Sequence, residues 1–216
     1  MRTGDTFVGV LKFIWDTALA VILRPVAFFQ TMPKVGGFRT PYIFLLVIGL
    51  FDLAILSLLQ MLVMGPVAGL TFAGRVFILA PLALTISGFA LTTILFVFWR
   101  LMGSSQSYET AYRAFVYSYA ISPVTTVIGF VPYFAFVGFF WWFALLVIAS
   151  VYVHGIHRAK AIAVFAVLAV ALLAFLARVE RYALRHGLGQ PLLQQAARPI
   201  HKGLREGSGP PAGRRT

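Results

Sequence analysis

Apolar positions run in long stretches along the chain, separated by short clusters of Gly, Pro, Ser and basic side chains. The first stretch, 42–64, would reach about 34 Å as a helix, enough to cross a bilayer core of roughly 30 Å with some tilt. Gly65 and Pro66 predict its end, and 65–75 reads as a short loop carrying Arg75. The second span is predicted over 76–99, with Pro81 in its first turns, Trp99 at the interface and Arg100 as the stop. A polar loop comes next at 101–110. Ser107 is placed to cap the next helix, with Glu109 in the first turn and Arg113 four residues on.

The third predicted span, 112–130, is the most polar. Ser118, Ser122 and Thr125 share a face that Gly129 continues, and Pro123 must bend or break the helix. Such a face has to point into a bundle, where neighbouring helices satisfy the hydroxyls. Pro132 opens the fourth predicted span, 132–153, whose Phe139, Phe140, Trp141, Trp142 and Phe143 cover several faces and read as bulk packing. A polar turn with His154, His157, Arg158 and Lys160 leads into an Ala-rich fifth span, 161–177.

Ahead of these spans, 6–23 is amphipathic. Phe7, Leu11, Ile14, Ala18 and Ile22 share one face, and Gly9, Lys12, Asp16 and Ala20 the other. Two mid-helix charges make insertion costly, so a helix lying on the membrane is expected. Residues 24–41, with Pro25, Pro33, Gly36, Gly37 and Pro41, read as a basic, turn-rich approach to the membrane. The predicted fold class is all-α, a polytopic transmembrane helix bundle of about five spans with an N-terminal interfacial amphipathic helix. Its parts are an N-terminal segment over 1–41, a transmembrane domain over 42–178, and a basic, largely disordered tail over 179–216.

Composition agrees with the pattern. Hydrophobic residues make up 60% of the chain and charged residues 11%, against roughly 25% charged in soluble domains. With a mean hydropathy of +0.90, the chain needs lipid as its solvent. The net charge of +12 would suggest nucleic acid in a soluble protein, but the cations flank apolar runs or sit in the tail and no base-reading motif accompanies them. No nucleic-acid partner is expected. The expected partner is the bilayer, with anionic headgroups met by Arg and Lys, and a membrane-protein partner or self-association besides. Counting cations on the two sides ends level once the tail is included. The short loops alone, with Arg100, Arg113, Arg158 and Lys160 against Arg75, favour a cytoplasmic N-terminus. No signal peptide is evident, and without Cys there is neither a disulfide nor a thiolate site.

Candidate chemistry is sparse. Asp52 is the only acid well inside a predicted span, on a face with Leu45, Gly49, Leu56 and Gln60. It reads either as a proton or cation relay or as a neutral acid hydrogen-bonded to the third span's hydroxyls. With no second buried ionisable group to receive a proton, the structural reading is favoured. His154 and His157 are too few for a metal site and read as an interfacial pair. Ser104, Ser105 and Ser107 lack a base and a GxSxG, and read as a helix cap. There is no P-loop, Rossmann glycine pattern or obvious inverted repeat. Neither an enzyme nor a bound cofactor or metal is expected.

The order of features resembles the Yip (Ypt-interacting protein) domain family in its bacterial form. Arg24-Pro25-Val26-Ala27-Phe28-Phe29 is followed by Met32, Gly36-Gly37 and Pro41 before the first span. Gly103, Tyr108-Glu109-Thr110-Ala111-Tyr112-Arg113, Tyr117-Ser118-Tyr119-Ala120 and Pro123 come after the second. Gly129, Pro132, Trp141, His154 and Ala159-Lys160-Ala161 complete the set, so the resemblance covers about 10–175 and leaves out the tail beyond Arg178. The resemblance implies a non-enzymatic five-helix membrane domain with a cytosolic N-terminus, here in a bacterial cytoplasmic (inner) membrane. Eukaryotic members bind Rab-type GTPases and act in vesicle traffic and membrane shaping, through an N-terminal signature this chain lacks. The expected role is membrane organisation or a trafficking-like process through helix, lipid and protein contacts. The alternative is a small transporter or channel subunit using Asp52 and the polar third span. Transport predicts a water-accessible cavity at Asp52, and packing predicts Asp52 buried and hydrogen-bonded.

Overall fold

A computed structural model describes residues 3–131 and 134–185, and all regular structure among them is helical. Pro132, the predicted start of the fourth span, lies outside the described residues, as does the tail from 186 on. The order is α1 (Thr3–Leu23), α2 (Pro25–Thr31), α3 (Arg39–Met64), α4 (Pro66–Leu101), α5 (Tyr108–Ser118), a 3-10 turn (Tyr119–Ile121), α6 (Ser122–Gly129), α7 (Ala135–Tyr152) and α8 (Arg158–Arg185). Among the described residues three helices are long and apolar enough to cross a membrane: Arg39–Met64, Gly69–Leu101 and Arg158–Ala183, with Phe136–Tyr152 a shorter apolar helix. By contact the chain divides into a unit up to Val167 and a second from Leu168. Within the second, the described residues continue α8 to Arg185.

The α3–α4 hairpin corrects the predicted 65–75 loop. Gly65, at φ 86°, ends α3, and Pro66 opens α4 at once. Proline at the first helical position loses nothing, because its absent N–H would have no partner there. Pro81 consequently lies well inside α4 instead of in its first turns. Glycines let the two helices approach. A Cβ on Gly69 would collide with Met61, whose Cα would stand 2.8 Å away. Gly49 faces Leu84 and Gly88 faces Leu45 in the same antiparallel register. The Tyr42 hydroxyl adds a polar link to Thr85 at 2.9 Å.

The third predicted span is broken, not continuous. Pro123 has no N–H to return to an earlier carbonyl, so the chain passes through the 3-10 turn and restarts as α6 with Pro123 in its first turn. The expectation that this segment is the interior one holds for α5, where every residue from Thr110 to Ser118 is buried. Helices α1, α3, α4 and α7 all pack against it.

The N-terminal segment is more ordered than a turn-rich approach. Pro25 presets the start of α2, and the Thr31 hydroxyl donates to the Ala27 carbonyl at 2.9 Å near its end. In α1 the buried stripe is Ile14, Thr17, Ala18 and Val21. It is rotated from the predicted one, since Leu11 is exposed and Thr17 and Val21 are not; the Phe7 side chain lies outside the described residues. The rotation comes from packing, as α1 meets α2, α3, α5 and the 3-10 turn. Lys12 and Asp16 stay exposed, as expected of its polar face.

Candidate functional site

Most residues singled out by the sequence order meet at one end of the first unit. There the loop between α2 and α3, the start of α5, and the turns after α4 and α7 come together. Ser107 caps α5 by accepting from the Thr110 N–H at 3.2 Å. The Thr110 hydroxyl in turn donates to the Lys34 carbonyl at 3.0 Å. One turn further on, the buried Arg113 guanidinium fastens α5 to the same loop. Its Nε donates to Glu109 Oε1 at 3.2 Å and its Nη2 to the Gly37 carbonyl at 2.8 Å. The same Glu109 oxygen accepts from the Gly37 N–H at 2.7 Å. Gly37 thus gives both backbone groups to one ion pair from residues more than seventy positions away. Gly36, at φ 129°, has its missing Cβ space only 2.8 Å from Arg113 Nη2, so a side chain there would meet the guanidinium.

Aromatic rings surround this lock. Tyr117 packs edge-on against Phe28 and Phe44, and Tyr112 stacks on Phe89 at 4.7 Å. The Tyr108 hydroxyl bonds the Phe89 carbonyl and Thr93, both at 3.1 Å. Pro25 and Pro41 are helix-start residues of α2 and α3. They position the segments without entering the lock.

A second cluster sits where α4 ends. Gly103, at φ 100°, turns the chain, and the Lys160 ammonium donates to the Met102 carbonyl at 2.8 Å, satisfying a helix-end acceptor. Trp99, predicted at the interface, is instead fully buried; its indole N–H donates to Ser150 at 2.7 Å. His154 stacks on Trp99 at 4.0 Å and bonds Ser104 through Nδ1 at 2.9 Å. Burial and then the nearby Lys34 ammonium hold the His154 imidazole neutral, its pKa pushed down to about 3. The expected interfacial pair is therefore split, because His157 is exposed while His154 is 5% exposed. Sequence reasoning singles out Gly103, His154 and Lys160 but misses the Trp99–Ser150 and Ser104–His154 bonds that join this cluster. Its one signal was that a buried indole needs an acceptor, which requires knowing Trp99 is buried.

The candidate intramembrane residues are placed elsewhere. Asp52 is buried in α3 beside Tyr119 and Ser122, but Asp52 Oδ1 and Ser122 Oγ have no hydrogen-bond partner among the described residues. The hydroxyls of the third segment are not satisfied by neighbouring helices as predicted. Ser118 donates to the Ala114 carbonyl at 2.7 Å and Thr125 to the Ser122 carbonyl at 3.0 Å, both within the segment. Thr125 packs against Gly138 of α7, where a Cβ would clash. Gln60 is half-buried near the end of α3, away from these groups. Among the described residues no three His, Asp or Glu side chains converge as a metal site would require.

The family model of the Yip1 domain matches residues 19–179, which includes the Gly37–Glu109–Arg113 lock and Lys160. Comparison with curated proteins and with solved structures gives no match.

Proposed function

The chain belongs to the Yip1 domain family and is a multi-pass integral membrane protein, and from that premise we propose that it acts without catalysis, through helix, lipid and protein contacts in membrane organisation. One observation carries this reading. Polar side chains of the lock and of the cluster at the end of α4 fasten segments of the chain to each other. Arg113, Glu109, Trp99, Ser104 and Lys160 all have partners within the fold. A catalytic site would instead leave such groups converging on substrate space. The test is purification in mild detergent with identification of everything retained. A stoichiometric membrane-protein partner or a defined self-oligomer is expected, and recovery of monomer with lipid alone refutes the contact role.

The five-span arrangement with a cytoplasmic N-terminus, in a bacterial cytoplasmic membrane, belongs to the same proposal, as does the division into 1–41, 42–178 and 179–216. It requires α5, the 3-10 turn and α6 to cross together, followed by α7. These elements span Tyr108–Gly129 and Ala135–Tyr152. At 1.5 Å per residue each is on the order of 30 Å, near the thickness of the hydrocarbon core. A reporter active only in the cytoplasm, fused after Thr216, is expected to be silent. Activity there sinks the topology.

Transport through Asp52 is the second reading, favoured by its unpartnered Oδ1. Proximity to the Tyr119 and Ser122 hydroxyls supports packing instead. Asp52→Asn decides between them: loss of an ion or proton flux in vesicles with folding intact would establish transport.

A further inference from the structure

Helix α1 crosses α3 at Ile14, which is 3% exposed. On the side nearer the start of α3 it leaves a hollow of about 510 Å³, lined by Gly9, Val10, Phe13, Ile14 and Ile43 with Arg39 and Thr40. That hollow shares Phe13 and Thr40 with a second one of about 300 Å³. The second is lined by Arg113, Thr17 and Thr40 together with the aromatic Phe13, Phe28 and Tyr117. Together they join two cations and two threonine hydroxyls to apolar walls, the combination an amphiphile needs.

The polar lining has unused donors. Arg113 is 4% exposed and spends Nε and Nη2 on Glu109 and Gly37, leaving Nη1 outside those bonds. The Thr17 and Thr40 hydroxyls make no hydrogen bond among the described residues. Glu109 offsets the charge of Arg113, so Arg39 leaves the site one positive charge, and the start of α3 adds the positive end of its dipole. A guanidinium nitrogen outside those bonds and two hydroxyls lining the same hollow suit a phosphodiester, whose oxygens accept from all three. The apolar hollow that continues from it suits an acyl chain, and no soluble anion would use it.

We propose that this double hollow binds one anionic phospholipid, with its phosphate at Arg113, Arg39, Thr17 and Thr40 and an acyl chain along Phe13, Ile14 and Ile43 beneath α1. The inference rests on the membrane placement given above, with the start of α3 at headgroup level.

The test is native mass spectrometry of the full chain in mild detergent, titrated with phosphatidylglycerol, phosphatidylcholine or soluble glycerol phosphate. Phosphatidylglycerol is expected to bind about tenfold tighter than phosphatidylcholine, for roughly one effective cationic contact. Glycerol phosphate should bind far more weakly than the lipid. The double variant Arg39→Gln/Thr17→Val leaves the Glu109–Arg113 lock intact and should bring the preference to about twofold or less. Gly9→Leu enters open space on a helix, so it does not threaten folding, and should block the chain site. Equal binding of the two lipids, tight binding of glycerol phosphate, an unchanged preference in the double variant, or undiminished lipid binding by Gly9→Leu overturns the proposal. None of these results bears on co-purified proteins, so failure here is distinct from failure of the contact role.

Discussion

Removing Glu109 tests the lock most directly. Its carboxylate accepts from the Gly37 N–H at 2.7 Å and from Arg113 Nε at 3.2 Å. Glu109→Ala takes away both bonds and leaves a nearly buried guanidinium without its counter-charge. A hydrogen bond to a charged group contributes roughly 1.5–3 kcal/mol. The Glu109 side chain is 24% exposed, which lowers its share, while Arg113 at 4% has little water to fall back on. These values give a destabilisation of about 3 kcal/mol. Glu109→Gln keeps an oxygen for the Gly37 N–H and loses the charge, so about 1–2 kcal/mol is expected. Arg113→Lys cannot span Glu109 and the Gly37 carbonyl with one ammonium and should cost about 2 kcal/mol. The assay is equilibrium unfolding in mixed micelles, monitored by intrinsic fluorescence, with exposed Arg158→Gln as control. A double-mutant cycle between Glu109→Ala and Arg113→Ala should give a coupling of about 1.5 kcal/mol or more. Coupling below about 0.5 kcal/mol, with each single variant near wild type, would refute the lock as a stabilising element.

Gly36→Ala combines a disfavoured φ with a contact on Arg113 Nη2 and should cost about 2–3 kcal/mol. Gly37→Ala meets nothing within 4 Å and should cost only about 1 kcal/mol in the same unfolding assay, and the reverse order would be inconsistent with the geometry. His154 is neutral in the fold with a pKa lowered from 6.5 to about 3, so the unfolded chain binds a proton the fold does not. Stability should be intact above pH 6.5, fall as pH drops through the window down to about 3, and be about 2 kcal/mol lower by pH 5. His154→Gln should flatten that profile, and an unchanged slope would assign the acid sensitivity elsewhere. Trp99→Phe removes the N–H bonded to Ser150 and should lower stability by about 1–2 kcal/mol, checked by unfolding and by the loss of a buried-indole emission component.

The helices are legible in the sequence where bilayer physics imposes length and apolarity. The stretch that forms α3 is found within a few residues, that of α8 at its start but eight residues short of its end at Arg185, and Ser107 is recognisable as a cap because capping is local chemistry. The 65–75 loop is misread because Gly and Pro signal a turn but not its length. Whether helix resumes after one residue or ten depends on the partner helix. Here it resumes at once because Gly69 fits against Met61, a contact between helices that periodicity within one helix cannot report. The same limit applies to α1, whose stripe is misplaced by part of a turn. In a chain this apolar, hydrophobicity no longer marks the buried side. Trp15 and Leu23 are more than half exposed, and Thr17 is buried.

The lock is only partly legible. Glu109 and Arg113 are a local pair four residues apart, and sequence spacing alone predicts that they meet. An exposed pair of this kind would be worth little. Its energetic weight comes from Gly37, whose N–H and carbonyl bind the two ends of the pair. A glycine carries no side chain to announce that role, and only its position before α3 hints at one. The third party converts a helix-surface ion pair into a closure of the chain across α3 and α4. For the same reason Glu109 and Arg113 should be more sensitive to substitution than any exposed cation of this chain, although their charges and spacing are ordinary.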